Sequence, residues 1–237
     1  MPLRADLSET TAAILAGGLG TRLVPVVGHL PKALAPVAGV PFLDRLLSRL
    51  AAWGLRDVVL CTGVGADRDA AHCGDGSRWG LSLRTSREET PLGTGGALVH
   101  ARGLLTTSPF LVFNGDSFAD MDPGALVAFH RERRATATLL LVRVADRTRF
   151  GSVRLDADGR IAAFEEKGIA GPGLINAGVY ALEPGVLDAI PAGRPVSLES
   201  KVFPALVGRG LFGLATDARF IDIGTPESYR QAEAFFS

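Results

Sequence analysis

Short unbroken apolar runs alternate along this chain with stretches whose apolar positions recur every three or four residues. Residues 11–16 (TAAILA) form the first run, closed by glycines, and read as a buried strand. In residues 41–53 (PFLDRLLSRLAAW), Phe42, Leu43, Leu46, Leu47, Leu50 and Trp53 fall on one face. That spacing predicts a helix opened by Pro41 and ended by Gly54. Residues 57–62 predict a second strand, 80–85 a third and 109–114 a fourth, with a helix starting near Thr94 before the fourth. Asp122 and Pro123 supply an N-cap and a first-turn proline for a helix over 122–134, and residues 136–145 predict another strand.

This β-α-β order predicts an α/β fold, Rossmann-like, with a mixed, mainly parallel sheet flanked by helices. After residue 150 the texture changes. GSVRLDADGRIAAFEEK reads as a hairpin turning at Asp158-Gly159, residues 173–181 as a strand, and 197–207 and 226–236 as helices. With no internal repeat and no linker, the chain reads as one domain, 1–237, with a substrate-facing part inserted or appended after about residue 145.

Composition narrows the function. The 237 residues carry 25 basic and 25 acidic side chains, which gives no reason to expect nucleic acid or a membrane surface as partner. No apolar run is long enough for a span, the N-terminus has no leader-like apolar stretch, and two cysteines suit a reducing cytoplasm. Only Lys32, Lys167 and Lys201 among the basic residues are lysines.

The loop after the first strand reads Gly17-Gly-Leu-Gly-Thr-Arg22-Leu and is followed by Pro31-Lys32. At the carboxyl edge of such a sheet, glycines let a phosphate approach backbone N–H groups. A Walker-type phosphate loop is excluded, because no Gly-Lys pair occurs. A dinucleotide fingerprint fails too. Leu23 stands at its third glycine, and the second strand ends in Cys61-Thr62 without an acid for a ribose.

With Pro36-Val-x-Gly39-x-Pro41 added, the stretch resembles the start of the sugar nucleotidyltransferases, which join a nucleoside triphosphate to a sugar 1-phosphate. The resemblance runs from Ala12 to about Gln231 and implies a nucleotide-diphospho-sugar transferase fold of GT-A-like type. It implies that Leu15, Ala16, Gly17, Gly18, Gly20 and Thr21 surround the triphosphate, with Arg22 on the departing phosphates and Lys32 where charge builds. Glu89-Thr-Pro-Leu-Gly93-Thr94-Gly95-Gly-Ala97 resembles the base-reading loop in its guanylyl-transferring form. Asp116 in Phe113-Asn-Gly-Asp matches the catalytic aspartate, and Asp222 in Phe220-Ile-Asp-Ile-Gly-Thr-Pro a second metal ligand. Together they imply Mg²⁺, which is commonly held by one or two carboxylates and substrate phosphates.

On the sugar side the resemblance implies Glu166 and Lys167, Asn176 and Gly178, and Glu199 in Ser197-Leu-Glu, with Ser197 alternatively capping a helix. The pattern is most similar to D-glycero-α-D-manno-heptose 1-phosphate guanylyltransferases, with GTP and the heptose 1-phosphate as substrates. A cytoplasmic monomer or homodimer without a left-handed β-helix domain is expected. A mannose-1-phosphate guanylyltransferase, another hexose-1-phosphate nucleotidyltransferase using UTP or dTTP, and a non-catalytic nucleotide-sugar sensor remain the alternatives. His72-Cys73 has no partner at zinc spacing, and no serine-hydrolase elbow exists.

Overall fold

The computed structural model describes residues 4–18, 20–28, 30–63 and 66–236, with the side chain of Ala66 left aside. Leu19 of the glycine loop therefore lies outside the described residues. The chain opens with β1 (Thr11–Leu15), a short α1 (Val24–Val27) and the two-residue strands β2 (Pro36–Val37) and β3 (Val40–Pro41). It continues through α2 (Phe42–Ala52), β4 (Asp57–Thr62), α3 (Ala66–Cys73), β5 (Ser82–Arg87), α4 (Gly93–His100), β6 (Phe110–Asn114) and β7 (Ser117–Ala119). Next come α5 (Pro123–Arg133), β8 (Ala137–Val144), β9 (Ser152–Leu155), β10 (Ile161–Glu165) and β11 (Gly173–Leu182). The chain ends with α6 (Phe203–Leu206), β12 (Leu211–Thr216), β13 (Phe220–Asp222) and α7 (Pro226–Phe236).

Nine strands form one mixed sheet flanked by helices. Its main run, β5-β4-β1-β6, is parallel, and β11 joins antiparallel to β6. The sheet continues from β11 to β8 and on to β12, while the β9-β10 hairpin attaches at the other end of β11. β1 is unbroken in its apolar character because it is paired on both sides and covered on both faces. Ala12 and Ile14 enter one core with Leu43, Leu47 and Leu50 of α2, and Ala13 enters the other with Leu98 of α4 and Tyr180. Burying each such leucine stabilises the fold by about 2 kcal/mol. Asp122 caps α5 as predicted, accepting from the Gly124 N–H at 2.8 Å.

Three departures from the sequence reading matter for the site. The third strand sits two residues later than predicted, at Ser82–Arg87, which places Glu88 directly at its carboxyl end. The segment 197–207 begins as one turn of π-helix, Leu198–Val202, capped by Ser197, whose Oγ accepts from the Ser200 N–H at 3.1 Å. β7 and β13 pair antiparallel as a small ribbon, with Asp222 opposite Ser117. The ribbon is anchored by Phe118, which packs against Trp53, Phe235 and Phe236.

Burial also creates one cost away from the site. Asp69 of α3 is fully buried, neither carboxylate oxygen has a hydrogen-bond partner, and burial pushes its carboxyl up to about 6. The unfolded chain releases this proton near the ordinary value of 3.8, so between there and about 6 the folded state binds more protons. Stability from this group is therefore present below pH 3.8 and falls as pH rises through about 6. Asp69→Asn is expected to raise unfolding free energy at pH 8 by on the order of 2 kcal/mol, with little gain at pH 4. Urea titrations at both pH values check this; an equal gain at both would refute it.

Candidate active site

The carboxyl ends of β1, β5 and β6 open onto a cavity of about 250 Å³, lined by Leu15, Gly17, Gly18, Glu88, Gly93, Thr94, Asn114 and Asp116 among others. Its walls are close-packed backbone. The Gly115 N–H donates to the Leu15 carbonyl at 2.9 Å, and a Cβ at Gly115 would stand 2.8 Å from that oxygen. A Cβ at Gly17 would stand 2.6 Å from Glu88 Oε1. Gly93, at φ +69°, leaves only 2.7 Å between its missing Cβ and the Val196 carbonyl. Close approach favours glycine at all three positions, and at Gly93 the left-handed φ does so as well.

Glu88 forms the polar floor. It is 7% exposed, and its Oε2 accepts from the Leu92 N–H at 3.1 Å. Burial raises its carboxyl above the ordinary value, against the lowering effect of the Leu92 N–H and of His100. Glu89, which the resemblance placed at the base, is exposed and does not line this cavity.

A second cavity, of about 440 Å³, adjoins the first at Asn114 and Asp116. Arg22, Ser117, Arg149, Lys167, Asn176, Gly178 and Asp222 also face it. Asp116 pairs with Lys32, which is mostly buried, and Asp222 with Arg149 at 3.3 Å. Asp222 is fixed further by the Gly224 N–H at 2.8 Å and the Ser228 hydroxyl at 3.0 Å. Backbone pairing brings the carboxylates together, through the β7-β13 ribbon and the Ile223 N–H donating to the Asp116 carbonyl at 2.8 Å. A Cβ at Gly224 would lie 2.9 Å from Asp222 Oδ1, 3.7 Å from Lys32 Nζ and 3.8 Å from Arg22 Nη2, so these three heads converge on one spot.

The sugar-side residues fall into two groups. β11 breaks its register between Asn176 and Tyr180, a bulge in which the Gly178 N–H donates to Asn176 Oδ1 at 2.9 Å. Asn176 Nδ2 in turn donates to the Tyr180 hydroxyl at 3.0 Å, which holds the amide in place. Glu199 does not line either cavity. It accepts from Thr94 at 2.7 Å, Tyr180 at 3.1 Å and Ser197 at 3.0 Å, and so braces the wall behind α4. Glu166 is exposed outside the cavity lining, whereas its neighbour Glu165 is paired with Arg147 at 2.7 Å.

Thr21 is exposed and lines neither cavity, and Gly95 is buried in the first turn of α4 with its N–H donating to the Val196 carbonyl at 2.8 Å. Ala16 lines a small void shared with Leu15, Gly18, Lys32 and Asp116. Gly20, at φ +59°, packs against Lys32, with 3.0 Å from its missing Cβ to the lysine Cβ. Sequence reasoning missed Glu88, Asn114 and Arg149. Asn114 stood inside the quoted Phe-Asn-Gly-Asp, and the Glu88-Glu89 pair signalled Glu88 once the strand end was placed. Nothing in an arginine-rich chain singled out Arg149.

The donor set suits a hard divalent cation. Asp116 and Asp222 offer oxygens to one cavity, and beside them Asn114 Oδ1 is buried with no hydrogen-bond partner. Among the described residues no group of three or more His, Cys, Asp or Glu could form a closed metal cage. Magnesium fits this openness, since it keeps waters and takes phosphate oxygens.

A match to the family described as Nucleotidyl transferase runs over residues 11–237. The chain belongs to that family. It is 44% identical over 230 residues to a mannose-1-phosphate guanylyltransferase of Mycobacterium tuberculosis, covering 95% of this chain and 64% of that protein. It is 35% identical over 223 residues to a D-glycero-alpha-D-manno-heptose 1-phosphate guanylyltransferase of Aneurinibacillus thermoaerophilus, covering 94% and 96% respectively. Crystalline HddC from Yersinia pseudotuberculosis, complexed with GMP-PN, superposes with a TM-score of 0.86 at 32% identity, over 96% of this chain and all of that one. The nucleotidyltransferase fold expected from the sequence is therefore the fold found.

The bulge gives a stability test. Gly178 has φ +74°, and a Cβ there would meet Ser117 Oγ at 2.6 Å and Asn114 Nδ2 at 2.8 Å. Gly18 has nothing within 4 Å of its missing Cβ. Gly178→Ala is expected to destabilise by about 1–3 kcal/mol, and Gly18→Ala by well under about 1 kcal/mol, in parallel thermal melts. Equal melting temperatures for the two variants would contradict the packing described.

Proposed function

We propose that the protein transfers a guanylyl group from GTP to a manno-configured sugar 1-phosphate and releases pyrophosphate. The observation that carries this reading is the convergence of Asp116 and Asp222 with Arg22, Lys32, Arg149 and Lys167 around a cavity continuous with the glycine-walled one. That many cations suit two phosphorylated substrates. The glycine-walled cavity is the nucleotide end, and the cavity of β11 is the sugar end. On this reading, residues from about 11 to 145 serve the nucleotide and those from about 146 to 237 the sugar.

In the reaction a phosphate oxygen of the sugar 1-phosphate attacks the α-phosphorus. The bond from that phosphorus to the bridging oxygen breaks, and pyrophosphate leaves in line. The nucleophile is already an anion, so no strong base is required and no covalent enzyme intermediate forms. Arg22 holds the departing phosphates, Lys167 the sugar phosphate, and Lys32 countercharges the phosphate region from its place against Asp116. Asp116 and Asp222 would hold Mg²⁺, which supplies neutralisation of charge building on the phosphates. Catalysis on this reading is positioning and charge neutralisation.

Glu88 supports the choice of base. Its Oε1 faces the cavity beside Gly17 and can accept from the N1–H or N2–H₂ of guanine, while adenine presents an acceptor there. A site built to receive those donors rejects adenine strongly. For the sugar, the sequence pattern favours the heptose 1-phosphate. The 44% identical mycobacterial relative, named for mannose 1-phosphate, favours mannose as the second reading. The two differ by one CH–OH unit, which pockets reject weakly. A cytoplasmic setting fits substrates of this kind, and no described helix is long and apolar enough to cross a membrane.

Five nucleoside triphosphates tested against heptose, mannose and glucose 1-phosphates, read by pyrophosphate release, decide among these. GTP with a manno-configured sugar is expected to lead, and Asp116→Asn and Asp222→Asn each to lower turnover by about a hundredfold or more. Release with no sugar phosphate at all would sink the reading.

Glu88→Gln is expected to erode the GTP preference over ATP by roughly tenfold or more in competition assays, and Glu89→Gln to leave it within about twofold. The opposite ranking would return base reading to Glu89.

A further inference from the structure

A third cavity, of about 520 Å³, is separated from the nucleotide end by one stretch of backbone. Val186, Ile190, Val202 and Leu206 give it apolar walls. Arg194, Lys201 and Arg209 stand around it, all exposed, and no acidic side chain lines it. Elsewhere arginines such as Arg84, Arg102 and Arg147 are paired with carboxylates, whereas no ion pair is found for these three cations among the described residues. An apolar chamber of this size, lined by charges of one sign only, has the form of a small-molecule site.

The wall between the two cavities is shared. Val196 lines this cavity, and its carbonyl accepts from the Gly95 N–H at 2.8 Å while its own N–H donates to the Leu92 carbonyl at 2.8 Å. Two residues on, the Leu198 N–H donates to Thr94 Oγ1 at 2.8 Å, and Thr94 donates to Glu199 at 2.7 Å. Gly93 and Thr94 are lining residues of the nucleotide end. A missing Cβ at Gly93 only 2.7 Å from the Val196 carbonyl leaves no slack between them. A shift of segment 194–199 therefore moves the wall that faces the base.

We propose that this cavity binds a small amphipathic organic anion, an apolar body carrying one acidic group, and that its occupancy changes nucleotide affinity through segment 194–199. The apolar body fills the chamber, and the acidic group meets Arg194, Lys201 and Arg209. The coupling half rests on the nucleotide reading above; the binding half does not.

The probe is 8-anilino-1-naphthalenesulfonate, with 1-anilinonaphthalene as its neutral counterpart on the same ring system, each titrated by fluorescence into the native full chain. One site is expected, and the sulfonate should bind about tenfold or more tighter than the neutral compound. Arg194→Glu with Arg209→Glu should remove that advantage while leaving neutral-probe binding and the melting temperature intact. If the reversals unfold the protein, Arg194→Gln with Arg209→Gln serves, with a proportionally smaller loss expected. Equal affinity of the two probes, or an unchanged sulfonate affinity in the variants, overturns the site. So does probe binding that falls as protein concentration rises, since a second copy of the chain would then be the occupant.

For coupling, saturating sulfonate should change the GTP dissociation constant about fivefold, and GTP should change the sulfonate constant by the same factor. Simple mutual displacement, or no change, overturns the coupling. Failure of GTP to bind with or without probe would overturn both the coupling and the nucleotide reading, leaving the anion site standing.

Discussion

Two carboxylates have to share one cavity here, and like charges at close quarters repel. The structure meets this by giving each its own cation: Lys32 for Asp116 and Arg149 for Asp222. The arrangement has a chemical consequence. On the reading proposed above, each cation could pair with a substrate phosphate instead of its carboxylate. The carboxylate left behind would then need a new countercharge, which a divalent cation would supply. Much of the local architecture serves that pairing. The β7-β13 ribbon carries Asp222 to Asp116, and Phe118 anchors the ribbon to α2 and α7.

The same logic explains why the two cavities meet at β6. That strand is paired with β1 on one side and β11 on the other, parallel and antiparallel respectively. Its carboxyl end therefore faces the glycine loop after β1 and also the bulge of β11. Asn114 and Asp116 line both cavities, so on the reading proposed above they mark where a nucleophile and an α-phosphorus would meet. The bulge at Asn176–Tyr180 turns side chains toward that place without ending the strand, and Gly178 makes room for Asn114 and Ser117 beneath it.

Much of this was legible in the sequence, and the reasons differ by element. β1, α2 and α5 carried strong periodicity or unmistakable caps, because each is held by dense packing on a predictable face. The glycine loop, Lys32, Asp116, Asp222 and Lys167 were visible through a motif whose spacing survives without coordinates. β12 was missed because LFGLAT is short and interrupted by Gly213, whose missing Cβ would collide with Leu141 at 2.5 Å. β7 was missed because three residues cannot show a period. The resemblance drew attention to Glu89 at the head of its motif, whereas the strand end at Arg87 puts Glu88 at the polar floor.

Glu199 shows a different kind of limit. A motif marks a residue as needed without saying whether it touches a ligand or holds up what does. Its carboxylate is engaged by Thr94, Tyr180 and Ser197, three donors from α4, β11 and the start of the π-turn. A carboxylate bonded on three sides by buried or half-buried hydroxyls has little capacity left for a sugar, but it fixes the distance between the nucleotide wall and the sugar-side strand. On the reading proposed above, that distance would decide whether attack on the α-phosphorus is in line, and a misplacement of about 1 Å in such a geometry can cost a hundredfold in rate. Positioning of this sort follows from where elements cross in space, which spacing along a chain does not record.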